Sequence, residues 1–342
     1  MRFSVGYQRR AGDDLMEEIL RWRDRVYEVY FSFGGVPNGR GSIAGDDDLL
    51  PHEAQARQLA DLRRIADAGI PLNILYNGNC YGADAESRAF FRSVGDTVDY
   101  FRSEFGLASV TTTSPLIARF IKENFTDIAT RASVNMEIGT VQGMDYLADV
   151  FDGYYMKREH NRNLPRIRRL SAWCRDHGKE LFLLANSGCL NDCSSHIFHD
   201  NLVAHEGDIA RMDNAYAFRG TCWDYLARPE KRVSLVRDTN YIRPEDMALY
   251  EGYFTAAKLA TRVNATPART VHAYMTGKHT GSVLELLEPN HQGILSPAYL
   301  DNRRFPADFA TRVMTCDKNC DTCHYCTDVY RQALIQLEGT LC

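Results

Sequence analysis

No stretch of the 342-residue chain approaches the about 18 consecutive apolar residues of a membrane span. The opening MRFSVGYQRRAGDDL also lacks the apolar central region of a secretory signal. The expectation is a cytoplasmic protein with no membrane partner. Charge of one sign is scarce as well: 40 Lys and Arg against 45 Asp and Glu leave a formal net charge of −5. That balance offers no bulk attraction for a polyanion, so a small-molecule substrate is favoured over RNA unless a local basic groove is present. Three motifs are missing too. The first turn has no Gly-x-Gly-x-x-Gly, and nowhere is there a Gly-x-x-x-x-Gly-Lys-Ser/Thr or a His-Glu-x-x-His. Dinucleotide binding, phosphate-loop chemistry and a zinc-protease helix therefore have no support. Internal repeats and low-complexity segments are absent.

What is present is the composition of a globular protein, 44% hydrophobic and 25% charged. Short β-branched or aromatic runs alternate with amphipathic helical patterns, which implies a parallel sheet. The expected strands are residues 2–7, 26–33, 71–77, 108–113, 127–135, 151–157, 179–186 and 238–244. Between them, helical segments such as 53–69 and 164–178 end at Gly69 and Gly178, as helix C-termini often do. Eight units favour a (β/α)8 TIM-like barrel over an open doubly wound sheet. The division expected is a barrel over 1–264 and a C-terminal, cysteine-rich extension over 265–342. The long stretch 187–237 then lies on the C-terminal face, where barrel enzymes carry their active sites.

Ten cysteines are the unusual feature. A reducing cytosol disfavours a disulfide framework in a chain this large, so metal or redox chemistry comes first. Cys189 and Cys193 follow the seventh strand in NSGCLNDC, Cys222 sits in FRGTCWDY, and Cys80 follows the third strand in NGNCYG. The tail CDKNCDTCHYC supplies Cys316, Cys320, Cys323 and Cys326 at Cys-x3-Cys-x2-Cys-x2-Cys spacing. Zinc favours paired clips separated by a spacer, whereas dense runs of this kind wrap iron–sulfur clusters. Zinc and a metal-free thiol group remain as alternatives. A radical-SAM arrangement is disfavoured, because its motif belongs after the first strand and this one lies after the eighth. Cys174, beside Trp173 on a helical face, reads as a small buried hydrophobe, and Cys342 as a frayed surface thiol.

Five stretches, YEVYFSFGGVPNGR, YYMKREHNRNLPRIRRL, NSGCLNDC, GTCWDYL and IRPEDMALYEGYFTAAKLATR, together resemble peptidase family U thirty-two over roughly residues 20–262. That family includes oxygen-independent hydroxylases of the UbiU and UbiV type. The resemblance implies a barrel with an oxygen-sensitive [4Fe-4S] cluster on four cysteines, hydroxylation with prephenate as oxygen donor, and a homologous hetero-partner. It marks Cys189, Cys193 and Cys222 as ligands and, through CTDVYRQAL, Cys326 as the fourth. The chain departs from the pattern by carrying Cys316, Cys320, Cys323 and Cys80 in addition and by lacking a cysteine after strand two. Whether its thiols hold one cluster or two stays open.

Polar residues complete the expected site. MKREHNR at the sixth strand presents Arg158, Glu159 and His160 as catalytic candidates; Arg158 suits a dicarboxylate, or else pairs structurally with Glu159. Arg131, Ser133 and Asn135 alternate to one side of strand five, which makes Arg131 and Asn135 substrate-binding candidates together with Arg40. His196, His199 and His205 are general acid–base candidates or surface groups. Arg243 is a weaker rim candidate, and IRPED reads equally as a helix start. An iron–sulfur hydroxylase modifying an organic small molecule or a nucleobase is therefore set against a U-thirty-two-type peptidase and against a non-catalytic or heterodimer-partner metal-stabilised barrel.

Overall fold

Eight parallel strands follow one another in chain order: β1 (Phe3–Gly6), β2 (Val26–Phe31), β3 (Leu72–Tyr76), β4 (Leu107–Thr112), β5 (Ala129–Ala132), β6 (Gly153–Tyr155), β7 (Glu180–Leu184) and β8 (Ala256–Leu259). In the computed structural model, which describes residues 1–10, 12–39, 50–261 and 263–336, each strand pairs with the next. Phe3 of β1 stands opposite Ala257 of β8, closing the ring. The (β/α)8 TIM-like barrel expected from the alternation is the fold observed. Among the described residues no helix is long and apolar enough to cross a membrane.

The connecting helices form for local reasons. The helix Arg88–Phe105 starts where Ser87 Oγ accepts from Phe90 N–H, buries Val94, Val98, Phe101 and Phe105 along one face, and stops at Gly106 with φ +65°. Gly69 and Gly178 end their helices in the same left-handed conformation, with φ +76° and +63°. One strand falls elsewhere than expected. Residues 238–244 lie across the top of β7: Asn191 N–H donates to Asp238 O at 2.7 Å, Ile242 N–H to Ala185 O at 2.8 Å, and Arg162 Nη2 to Tyr241 O at 3.1 Å. Their backbone groups bond to loops and side chains rather than to a neighbouring strand, and Ala-Ala-Lys-Leu closes the barrel instead. Its two alanines carry little strand propensity.

A charged core fills the barrel. Glu28, 1% exposed, accepts from Ser4 Oγ of β1 at 3.0 Å, Asn73 Nδ2 of β3 at 3.0 Å, Ser109 Oγ of β4 at 3.3 Å and Tyr155 OH of β6 at 3.3 Å, and it pairs with Arg131 of β5. The Arg131 guanidinium also lies over the Phe182 ring of β7, 4.6 Å from its centroid. Lys258 of β8 covers the Tyr30 ring at 4.0 Å.

Beyond β8, the helix Pro267–Thr276 packs on the helix Leu15–Arg21. Val283, Leu286, Leu295, Leu300, Phe309 and Val329 join the same hydrophobic core as the barrel residues. A short antiparallel pair, β9 (Tyr299–Leu300) with β10 (Leu334–Ile335), ties the last helix Tyr325–Ala333 back to this layer.

Removing one partner of a buried ion pair leaves the other uncompensated. Glu28→Ala is therefore expected to lower the unfolding free energy by about 3–5 kcal/mol, and the double change Glu28→Met with Arg131→Met to recover part of that loss. Equilibrium urea unfolding measures both. A loss below about 1 kcal/mol for Glu28→Ala would mean that the barrel does not depend on the pair.

Candidate functional site

The loops at the C-terminal ends of β5, β6 and β7 meet beside Cys189. After β7, Asn186 fixes the chain: its Nδ2 donates to Ala260 O and Leu286 O, each at 2.8 Å, and its Oδ1 accepts from Ala260 N–H at 2.7 Å. Gly188 follows, its N–H on Glu288 O at 2.8 Å. A Cβ there would stand 2.2 Å from Pro289 O, so only glycine lets the two segments approach. Cys189 is thereby held next to β6, where Arg158 Nη1 donates to its Sγ at 3.5 Å.

Arg158 is buried, and it belongs to a network that sequence reasoning only half identified. Its Nη2 lies 2.8 Å from His196 Nε2 and 3.7 Å from Glu137 Oε1. His196 also places Nδ1 3.1 Å from Glu137 Oε1 and Nε2 3.1 Å from Asp200 Oδ2. Hydrogen bonds to Asp200 and then Glu137 raise the imidazole pKa to about 10, against burial and the Arg158 charge. Burial alone would push Glu137 up, but His196, Lys157 and Arg158 bring its carboxyl down to about 2. Glu137 adopts φ +53°, uncommon for a non-glycine residue, at the turn after β5. Asp200 was legible as the residue four after His196 on one helix face; Glu137 had no sequence signal, since its role depends on contacts from β6 and the β7 loop.

A cavity of ≈ 970 Å³ opens beside this network. Glu159 and His160 line it together with Cys193, Cys222, Cys316, Cys320 and Cys326. Cys193 Sγ lies 3.9 Å from Thr221 Oγ1, next to Cys222 in the first turn of the helix Thr221–Ala227. Burial and then the neighbouring Cys189 and Cys193 push the Cys222 thiol up to about 11. On the opposite wall, burial raises Cys326, with Cys320, Cys316 and Cys323 adding to the effect. The thiols thus fall into a rim trio and a tail quartet. Among the described residues, no group of three or more His, Cys, Asp or Glu side chains is drawn together tightly enough to hold a metal ion. The donor set nevertheless suits a soft metal centre: crowded thiols resist ionisation together, and a shared cation relieves that repulsion.

The remaining expected residues divide. Asn135 lines a small pocket at the barrel mouth with Asn77, Arg158 and Lys258, its Nδ2 donating to Asn77 O at 3.1 Å. Arg131 lies in the barrel interior with its guanidinium engaged by Glu28, Tyr27 and Glu180. Arg40 and Cys342 lie outside the described residues. The expected Arg158–Glu159 pair is replaced by Arg158 with Glu137, while Glu159 Oε2 lies 3.9 Å from Lys157 Nζ. Burial foremost lowers the His160 pKa. His199 stands against the Phe218 ring and His205 near Asp208. Arg243 pairs with Asp246 in the interior and starts the 3-10 turn Pro244–Tyr250. Cys80 Sγ accepts from Gly82 N–H at 3.4 Å. Cys174 is buried, and burial pushes its thiol up to about 12.

The molecule is thus a barrel protein whose catalytic-face loops carry a thiol-lined cavity. No protein-family model matches the chain. Among curated proteins it is similar to an uncharacterized protease, MJ1657, of Methanocaldococcus jannaschii, 29% identical over 160 residues that make up 45% of this chain and 46% of that protein. The chain thus matches less than half the length of that relative. Among solved structures it is similar to the U32 peptidase Mk0906, with a TM-score of 0.53, 14% identity, and coverage of 75% of this chain and 91% of that one. That likeness is one of fold. A mandelate racemase/muconate lactonizing family protein from Azoarcus sp. EbN1 reaches a TM-score of 0.36 at 13% identity, over 60% of this chain and 50% of that one.

The His196 network generates a pH prediction. Its pKa is raised from 6.5 to about 10 on folding, so its stabilisation is complete below pH 6.5 and fades as pH rises toward 10. Glu137 works in the other direction, contributing fully above 4.5 and fading toward about 2. The gap in thermal midpoint between wild type and His196→Gln should narrow from pH 6.5 to 10. A gap independent of pH over that range would show that the imidazole is neutral in the folded protein.

Proposed function

We propose that this chain is an iron–sulfur enzyme whose catalytic cluster is held on the barrel rim by Cys189, Cys193 and Cys222. We further propose that it carries out an oxygen-independent hydroxylation, or a related redox modification, of a small organic molecule in the reducing cytoplasm. The observation that carries the reading is that one elaborated loop supplies three neighbouring thiols, Cys189 accepting from Arg158 and Cys193 and Cys222 lining the large cavity, at the face where barrels place their chemistry. The resemblance to family U thirty-two suggests prephenate as donor, and a homologous protein as partner.

When bound, a cluster supplies Lewis acidity or a path for electrons. The chain's own residues do the rest. Arg158, with Nη1 on Cys189 Sγ and Nη2 beside Glu137, places a buried positive charge between the rim thiol and the small pocket at the mouth. Glu137 pairs with that guanidinium, and the carboxylates of Glu137 and Asp200 offset the combined positive charge of Arg158 and His196. Asn135 and Lys258 add a donor and a positive charge to the same pocket. His160, which burial keeps neutral, and Glu159 face the larger cavity as proton carriers.

The names of the relatives favour a second reading, a peptidase. Against it, Cys189 accepts from Arg158, and His196 faces two carboxylates and a guanidinium, so neither forms the thiol–imidazole pair of a cysteine peptidase. Protein purified without air is expected to be brown, to contain iron and acid-labile sulfide, and to bleach on exposure to oxygen. Arg158→Gln should keep the iron and lose turnover. A colourless, zinc-only protein would remove the iron–sulfur reading, and peptide cleavage by iron-free protein that disappears in Cys189→Ala would put the peptidase in its place.

A further inference from the structure

The rim uses three thiols, and four more stand across the cavity. We infer that Cys316, Cys320, Cys323 and Cys326 form a second, separate iron–sulfur site, leaving the rim cluster with Cys189, Cys193 and Cys222 alone.

The argument begins with what orders the tail loop. Residues 315–324, Thr-Cys-Asp-Lys-Asn-Cys-Asp-Thr-Cys-His, are all exposed, and apart from the thiols none of their side chains offers material for a core. Yet the loop is shaped. Lys318 takes φ +62°, Asn319 N–H donates to Asp317 Oδ1 at 2.9 Å, Cys320 N–H to Lys318 O at 3.0 Å, and Cys323 N–H to Asn319 O at 3.2 Å. These turns curl the chain between two anchored helices, one ending in buried Val313 and Met314 and the other leading to buried Val329. A polar loop with this curvature and no packing needs a cross-link, and four thiols are the groups available to make one.

Position and charge point the same way. All four thiols line one small pocket, and Arg237, Arg312 and Lys318 line it with them. Arg237 is itself paired with Asp238, and Asp317 lines the same pocket, so Arg312 and Lys318 are the cations that would offset a four-thiolate cluster. As they stand the thiols are not drawn tightly enough to hold a metal, but Cys316, Cys320 and Cys323 are exposed, and a change of χ1 rotamer is the movement that would bring them together. Cys316, Cys320 and Cys326 also line the large cavity, so the tail site borders the same space as Cys193 and Cys222.

Assigning Cys326 to the tail has a consequence for the rim. Cys189, Cys193 and Cys222 would leave a rim cluster one protein ligand short, a position that a substrate oxygen could take. This consequence rests on the iron–sulfur reading of the rim, whereas the tail site rests on its own residues.

The test is iron, sulfide and zinc content with EPR on the full chain, reconstituted without air, for wild type, Cys189→Ala with Cys222→Ala, and Cys320→Ala with Cys323→Ala. Cys323→Ser and far-UV circular dichroism serve as the control for folding. Each pair is expected to keep about half the wild-type iron, and the tail pair alone to become protease-sensitive within 315–324. A tail pair that keeps all its iron overturns the inference, as does loss of all iron from both pairs, which indicates one shared cluster, or one zinc per chain at the tail. If the rim pair loses no iron and the tail pair loses all of it, the tail site stands and the rim reading falls.

Discussion

One buried carboxylate links most of the barrel. Glu28 sits on β2 and is reached by side chains from β1, β3, β4, β5 and β6. Phe182 of β7 stacks on Tyr155 with ring centroids 4.9 Å apart, and Lys258 of β8 lies 5.1 Å from the same ring. A charge in such a place is tolerable only when every lone pair is met, so these polar residues depend on one another. The same arrangement holds strand ends in fixed relation, and the rim loops inherit that precision. Arg158 can address Cys189 at hydrogen-bonding distance because β6 and β7 do not shift against each other.

Much of the fold was legible in local pattern. Seven strands announced themselves by β-branched and aromatic runs, and Gly69 and Gly178 marked helix ends by the conformation they alone adopt without strain. β8 escaped because Ala256 and Ala257 are selected by fit against β1, which is a tertiary condition. Residues 238–244 misled because Tyr241 and Ile242 look like strand residues, yet their burial comes from lying over β7 under Arg162. Strand alternation gives the face that Arg131 points to and not its partner, Glu28 on β2, with which it pairs in the barrel interior.

The candidate site shows the same limit. The cysteines stand out in any reading of the chain, and the rim trio gathers because all three lie on one connection between β7 and β8. The network behind them was visible only in part. His196 and Asp200 share a helix face, but Glu137 enters from another strand through a left-handed turn that no composition signals. Three elements converge on Arg158, and that convergence turns a guanidinium at a strand end into a group with a fixed direction.

The clamp around Asn186 and Gly188 bears on how the molecule is made. Two of its acceptors, Leu286 O and Glu288 O, lie about a hundred residues further along the chain. During synthesis the first seven strands emerge well before those acceptors exist. Until they arrive, the loop bearing Cys189 has no fixed approach to β6. The rim thiols therefore reach their final positions late in assembly, after the barrel around them can already shield its own interior.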